Sequence, residues 1–243
     1  MHKPPSAGTN QPRREVLRAT AAPSLTTLSH LFFLRLHTLM DWFTLFLVIS
    51  VAMYFLKVQE QRRRVMLLAS FLGGTQIEKY LATLMDGYLR AIGESDVQRQ
   101  EQIWQMMARN EQQLCSQFQR LADDFAQVPV EKARVSTLPL ALPYFDRVVP
   151  SATFDMRAAL QLHAKAMRAA CATEDMTLEE RKRQAFTMTA EMMLMQHTCH
   201  WFCKSRTVAS VRLMARHKTS YEQVLQAVAS QTRAAYKKLL KAA

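Results

Sequence analysis

From Trp42 to Leu56 the chain reads WFTLFLVISVAMYFL, without a charged side chain and with bulky apolar groups on every side of a helix. Leu39 and Met40 extend the run across Asp41. The eighteen residues from Leu39 to Leu56 would rise about 27 Å as a helix, close to the roughly 30 Å hydrocarbon core of a bilayer. Asp41 can sit among head groups, Lys57 can snorkel, and Trp42 and Tyr54 stand near the two ends, where amphipathic aromatics favour the interface. The pattern predicts an uncleaved transmembrane helix over 39–58. A core helix rarely carries so many bulky groups all round. Ser50-Val51-Ala52 resembles a signal-peptidase site, but the apolar run continues beyond it.

After the span the period changes to alternating steps of three and four, which places each apolar set on one stripe of a helix. One seam is Trp104, Met107, Leu114, Phe118, Leu121, Phe125 and Val128, with Glu111 in the missing place. A second is Met188, Met192, Met195, Cys199, Phe202, Ala209 and Leu213, with Arg206 in its gap. Ile77, Leu81, Leu84 and Tyr88 form a shorter seam, and Tyr221, Leu225, Val228, Thr232, Ala235 and Leu239 another. Start signals recur where a Ser or Thr precedes a Glu or Gln by three: Thr75 with Glu78, Ser95 with Gln98, Thr177 with Glu180, and Ser220 with Gln223. Gly73-Gly74 breaks the membrane helix, and Pro129, Pro139, Pro143 and Pro150 keep 129–152 out of helix. The expected helices are 75–92, 96–128, 153–172, 178–217 and 221–241. The two seam charges have opposite sign, so an antiparallel pairing of the long helices would set Glu111 against Arg206 and fix their register.

The fold class expected is therefore all-α: one transmembrane helix near the start, then a cytoplasmic helical bundle with long antiparallel helices. Its segments are a tail over 1–38, the span at 39–58, juxtamembrane and bundle helices over 59–128, the Pro-containing loop, and a helical region over 153–243. Composition agrees, since 5 glycines and 15 methionines suit helices better than hairpins. The tail carries Pro4, Pro5, Pro12 and Pro23 and a single acid, Glu15, which predicts disorder. A basic presequence and a translation start at Met40 are the other readings of it.

Charge adds an orientation and a partner. Lys57, Arg62, Arg63 and Arg64 follow the span and only Arg35 closely precedes it, so the C-terminal part is expected in the cytoplasm, at a plasma or inner membrane. The formal net charge is +12, concentrated at the C-terminal end, where Arg212, Arg216, Lys218, Arg233, Lys237, Lys238 and Lys241 contribute and Glu222 is the sole acid after Trp201. Together with Arg62, Arg63 and Arg64 these residues are the candidates for contact with an anionic surface. Membrane lipid and a protein partner, or self-association through the seams, are the expected partners. A nucleic acid is the second choice, resting on a loose helix-turn-helix around Lys218-Thr219-Ser220 that lacks the usual turn glycine.

Reactive side chains concentrate at His197-Thr198-Cys199-His200-Trp201-Phe202-Cys203. Cys199 and Cys203 lie one helical turn apart with His200 beside them, a set that could ligate a soft metal or haem iron. The spacing is neither that of a zinc finger nor of haem attachment, and Cys199 also belongs to the methionine stripe, where a thiol packs as a small apolar group. His163 falls on an apolar stripe as an interior histidine, and the four cysteines, all in helical segments, read as reduced thiols. No phosphate loop, nucleophile elbow, HExxH or paired Glu-x-x-His occurs, and no cofactor is implied. The expected function is non-enzymatic: a membrane-anchored helical interaction or scaffold protein with a basic C-terminal surface. A membrane-bound nucleic-acid-binding regulator and a metal or haem sensor at Cys199, His200 and Cys203 are the alternatives.

Overall fold

A computed structural model describes residues 25–171 and 176–241, with side chains from Met40 onward. Among the described residues the chain is mostly helical. In order it forms α1 (Leu25–Leu72), α2 (Ile77–Gly93), α3 (Val97–Phe125), a single turn α4 (Val130–Ala133), β1 (Arg134–Ser136), a second turn α5 (Phe145–Val148), a 3-10 turn (Pro150–Ala152), β2 (Thr153–Asp155), α6 (Met156–Ala169), α7 (Leu178–Cys203), α8 (Arg206–His217), α9 (Tyr221–Ala227) and α10 (Ser230–Lys241). It divides into two compact units, Met1–Val51 and Ala52–Ala243.

In the first unit α1 begins at Leu25, inside the stretch expected to be tail; the rest of that tail lies outside the described residues. Every side chain from Met40 to Val51 is exposed, including Trp42 and Phe46 at 70% each. α1 is long and apolar enough to cross a membrane.

The second unit is built on the predicted seams. Gly73-Gly74 ends α1, and the Gly73 N–H returns to the Ala69 carbonyl at 2.9 Å. Thr177 and Ser220 form the expected capping boxes at α7 and α9. The other two boxes do not form. The Thr75 hydroxyl donates back to the Leu72 carbonyl, leaving Gln76 as the residue before α2. Asp96 rather than Ser95 caps α3, its carboxylate accepting from the Arg99 N–H at 3.0 Å. A charged acceptor on the first turn outcompetes a hydroxyl there.

Two predicted helices are each broken in two. The expected 178–217 helix stops at Cys203 and restarts after Ser205, whose side chain caps α8 through the Val208 N–H. The Pro139 carbonyl, from the preceding loop, accepts from both the backbone N–H and the hydroxyl of Thr207, so the loop takes up donors that a continuous helix would have satisfied internally. The 221–241 helix stops at Ala227, and the Ala229 N–H donates to the buried carboxylate of Glu191 at 3.0 Å. This second break shifts the register: Ala235 of the expected seam is exposed, and Tyr236 is fully buried in its stead. The loop at 129–152 is also more ordered than its prolines suggested. β1 pairs antiparallel with β2, Val135 opposite Phe154, so the all-α expectation gains a two-stranded sheet. Phe154 then packs edge-on against Trp201 at 5.1 Å between ring centres.

The seams are spent on packing within the chain. Phe71, Phe125 and Phe202 form an edge-to-face chain at 5.3 and 5.9 Å. Glu111 is 1% exposed in the middle of its seam, accepting from the Tyr88 hydroxyl at 2.6 Å and from the Gln184 amide at 3.3 Å. Arg206 has other neighbours: its guanidinium stands over the rings of Trp201 and Tyr221 at 5.5 and 5.2 Å. Among the described residues no Glu111–Arg206 ion pair forms: Tyr88 and Gln184 donate to Glu111, and Arg206 lies over aromatic faces.

Two buried histidines are held neutral. His163, fully buried, shares a 2.9 Å hydrogen bond with Thr198, whose hydroxyl also meets Tyr236 at 2.9 Å. Burial pushes its pKa down to about 3, with His197 adding a little. Burial likewise pushes His197 down to about 4, helped by Arg206. Both folded values lie below the unfolded one, so the unfolded chain binds more protons in acid and stability must fall as the pH drops below about 6.5. Each histidine should cost about 1.4 kcal/mol per pH unit between that point and its folded pKa. Urea midpoints at pH 7.5 and 5.5 check this, and replacing His163 with Gln should remove a substantial part of the difference.

Gly87 marks the closest approach of α2 and α3. A Cβ built there would clash with Met107 Sδ, so the fully buried Met107 side chain would have to repack. Gly87→Ala should therefore destabilise by about 1–3 kcal/mol despite its better helix propensity. Gly93→Ala, with nothing within 4 Å, should be neutral or mildly stabilising. Thermal melts of the two variants compare them directly.

Candidate functional site

A cleft of about 970 Å³ opens in the second unit, between the last turns of α1 and parts of α2, α3, α7 and α8. It exists because α1 runs past its own apolar segment and lays one face on the core. Leu68 is buried, Leu67, Phe71 and Leu72 are half-buried, while Val65 and Met66 stay exposed at 38% and 69%. Leu72, Ile77, Leu81, Phe118, Leu121 and Met195 complete a largely apolar floor.

Basic side chains edge this floor. Arg62, Lys79, Arg212 and Arg216 are exposed at the cleft, and Lys204 is half-buried with its ammonium 3.2 Å from the Gln61 carbonyl oxygen. Glu78 is the only acid lining it. None of the four exposed cations is ion-paired with a carboxylate among the described residues. Arg212 is hydrogen-bonded to His200 Nδ1 at 3.2 Å, and all four side chains stay exposed to the cleft.

The sequence-derived cations divide accordingly. Arg62, Arg212 and Arg216 meet at the cleft from α1 and α8. Arg63 is exposed but outside it. Arg64 is no surface cation at all: it lies 2.7 Å from Glu60 and 3.4 Å from Asp146, with its side chain 16% exposed. Lys218 ends α8 in a left-handed conformation, φ 54°. Arg233 is tied to Gln226, and Lys237, Lys238 and Lys241 lie along α10 away from the cleft. The net charge of the C-terminal end did not reveal that two of its arginines converge with one sixty-odd residues behind the start. Lys79 was also missed, because in isolation it reads as an ordinary solvated lysine.

Cys199, His200 and Cys203 line the cleft wall. Without a metal, these three side chains are held as neutral groups. Thiols bind as thiolates. Burial pushes Cys199 up to about 12 and Cys203 up to about 11, and the Cys199 thiol points to Met195 Sδ at 3.8 Å. His200 Nδ1 lies 3.2 Å from an Arg212 nitrogen, an arrangement that makes it the acceptor and keeps the ring neutral; burial, then Arg212 and Arg216, lower its pKa. Among the described residues no three His, Cys, Asp or Glu side chains are grouped to hold a metal. The imidazole–hydroxyl contact of His163 and Thr198 is fully buried, and Thr198 donates to the Leu194 carbonyl, so it serves the core. The loose helix-turn-helix resolves into α8 and a seven-residue α9 whose Tyr221, Val224 and Leu225 are buried. Such a helix, about 10 Å long with its apolar face inward, presents little to a groove.

The one unusual thiol pair lies elsewhere. Cys115 on α3 and Cys171 after α6 bring their sulfurs to 3.0 Å as free thiols. The hydrogen bond between them lowers the pKa of Cys171 and raises that of Cys115. At neutral pH, Cys171 should alkylate with iodoacetamide first, Cys203 and Cys199 more slowly, and the buried Cys115 last, as timed mass spectrometry of the four thiols would show; labelling that begins at Cys115 or Cys199 would contradict this order. Comparison with protein-family models, with curated proteins and with solved structures finds no match to this chain, so its function is argued from these residues alone.

Proposed function

We propose that this is a single-pass membrane protein whose second unit is a cytoplasmic helical bundle, acting without catalysis as a docking or scaffold protein. The observation that carries this reading is the run of exposed side chains from Asp41 to Lys57, apolar on every face between Trp42 and Leu56. A helical stretch of that length in water would leave an apolar surface far beyond the few hundred Å² that soluble proteins tolerate. A bilayer satisfies it without further partners, since the helix already closes its own backbone hydrogen bonds.

Orientation rests on the cations that follow. Arg64 is internally compensated in the folded protein, but Lys57, Arg62 and Arg63 remain on that side against Arg35 on the other. The non-catalytic reading is supported by the character of the buried polar groups. Glu111, Glu191 and His163 cap, bridge or hydrogen-bond within the core, and none faces the cleft.

In membranes extracted with alkaline carbonate the full chain should stay in the pellet. Protease applied from outside sealed cells should leave the region after Lys57 intact, while the same protease should degrade it in inverted vesicles. Release by carbonate would sink the anchor, and cleavage from outside would reverse the orientation.

A further inference from the structure

We infer that the cleft between α1, α2, α7 and α8 is a binding site for a single-chain acyl lipid with a phosphate head group: the chain lies on the apolar floor and the phosphate sits among Arg62, Lys79, Arg212 and Arg216. The argument uses only side chains between 62 and 216 and is independent of where the first unit resides.

Three observations select this occupant. The first is size. About 970 Å³ is at the upper end of the roughly 300–1,000 Å³ of small-molecule sites, and smaller than a groove that takes a partner helix some 10–12 Å across over several turns. The second is the lining, which leaves Val65 and Met66 exposed in the cleft although the same helix buries Leu68. Exposed apolar side chains beside an apolar floor ask for an apolar ligand. The third is charge. Four exposed cations, three of them arginines, stand against one Glu78, and the arginine fork matches phosphate oxygens in a bidentate way that a lone lysine cannot. A purely apolar ligand would leave those charges unused, and a free phosphate would leave the floor unused.

The chain's own N-terminal segment is a poor occupant on the same grounds. Residues 1–24 bring Lys3, Arg13, Arg14 and Arg18 against Glu15 alone, so like charges would meet at the rim.

The test uses the full-length protein in discs of zwitterionic phospholipid and a long-chain lysophosphatidate carrying a photoreactive group within its chain. Crosslinks should map to the peptides holding Met66, Leu72, Met85 and Met195. Lysophosphatidylcholine with the same chain should label about tenfold less, since its head group is neutral overall. Glycerol phosphate should not compete, and shortening the chain by two methylenes should weaken labelling by about tenfold. Reversing the rim charge with Arg212→Glu and Arg216→Glu together should abolish most labelling; both residues are exposed, so the fold should survive, and circular dichroism verifies that. Ala82→Trp, which fills the cleft from α2, should do the same without changing charge. Equal labelling by the choline lipid, crosslinks confined to 40–56, indifference to the double arginine variant, or displacement by an acidic amphipathic peptide but not by lysophosphatidate would each overturn the assignment.

Discussion

The second unit depends on how the last turns of α1 dock onto its core. α1 is exposed on every face from Asp41 to Lys57, yet some ten residues later it buries Leu68 and lays Phe71 against Phe125. That docking is held by Arg64. Its guanidinium is held by Glu60 one turn back and by Asp146 from the loop, reaches the Phe202 carbonyl at 3.5 Å, and stands over the Phe202 ring. Glu60 in turn accepts the N–H of Tyr144, a residue in the left-handed region where a side chain costs about 1 kcal/mol or more. A guanidinium with several acceptors and an aromatic face keeps its charge satisfied although its side chain is only 16% exposed. The last turns of α1 are thereby docked with a defined face inward, and that face is what gives the cleft its wall.

Elsewhere in the second unit polar groups decide where helices stop and how they pair. Glu191 is buried on α7 and its pKa is raised by that burial, but it still accepts the free N–H of Ala229 at the start of α10. Glu111 binds Tyr88 from α2 and Gln184 from α7, and Gln184 also donates to the Ala170 carbonyl at the end of α6, so four helices meet around two polar side chains. Each of these groups would be expensive to bury unpaired. Their partners are specific in direction, unlike the methionines and leucines around them, and so they select one arrangement among several that would fill the same volume.

The cleft is the place where this economy is relaxed. Its floor is apolar but incompletely covered, and among the described residues its rim cations have no carboxylate partner. Glu78 stands one residue from Lys79 and pairs with none of the rim arginines. A surface built only for solubility intersperses the two signs and scatters its apolar groups. Here both departures coincide at one concave site.

Much of the scaffold was legible in the chain alone. The apolar run, the double-glycine break, the capping boxes at Thr177 and Ser220, and the inward residues of the 104–128 and 188–213 seams follow from hydrogen-bond capping and from period, which are local in sequence. What only the tertiary structure decided has the opposite character. The breaks after Cys203 and Ala227 depend on acceptors supplied by Pro139 and Glu191, far away along the chain, and the second break rotates Tyr236 into the core and Ala235 out of it. Opposite charges on two seams suggested an ion pair, but aromatic faces and neutral donors were nearer to hand. The candidate site was the least readable feature, because no residue in it is unusual by itself. Sequence determines which side chains a helix can turn inward; where distant arginines converge over bare hydrocarbon is set by packing between helices, whose geometry is a property of the assembled core.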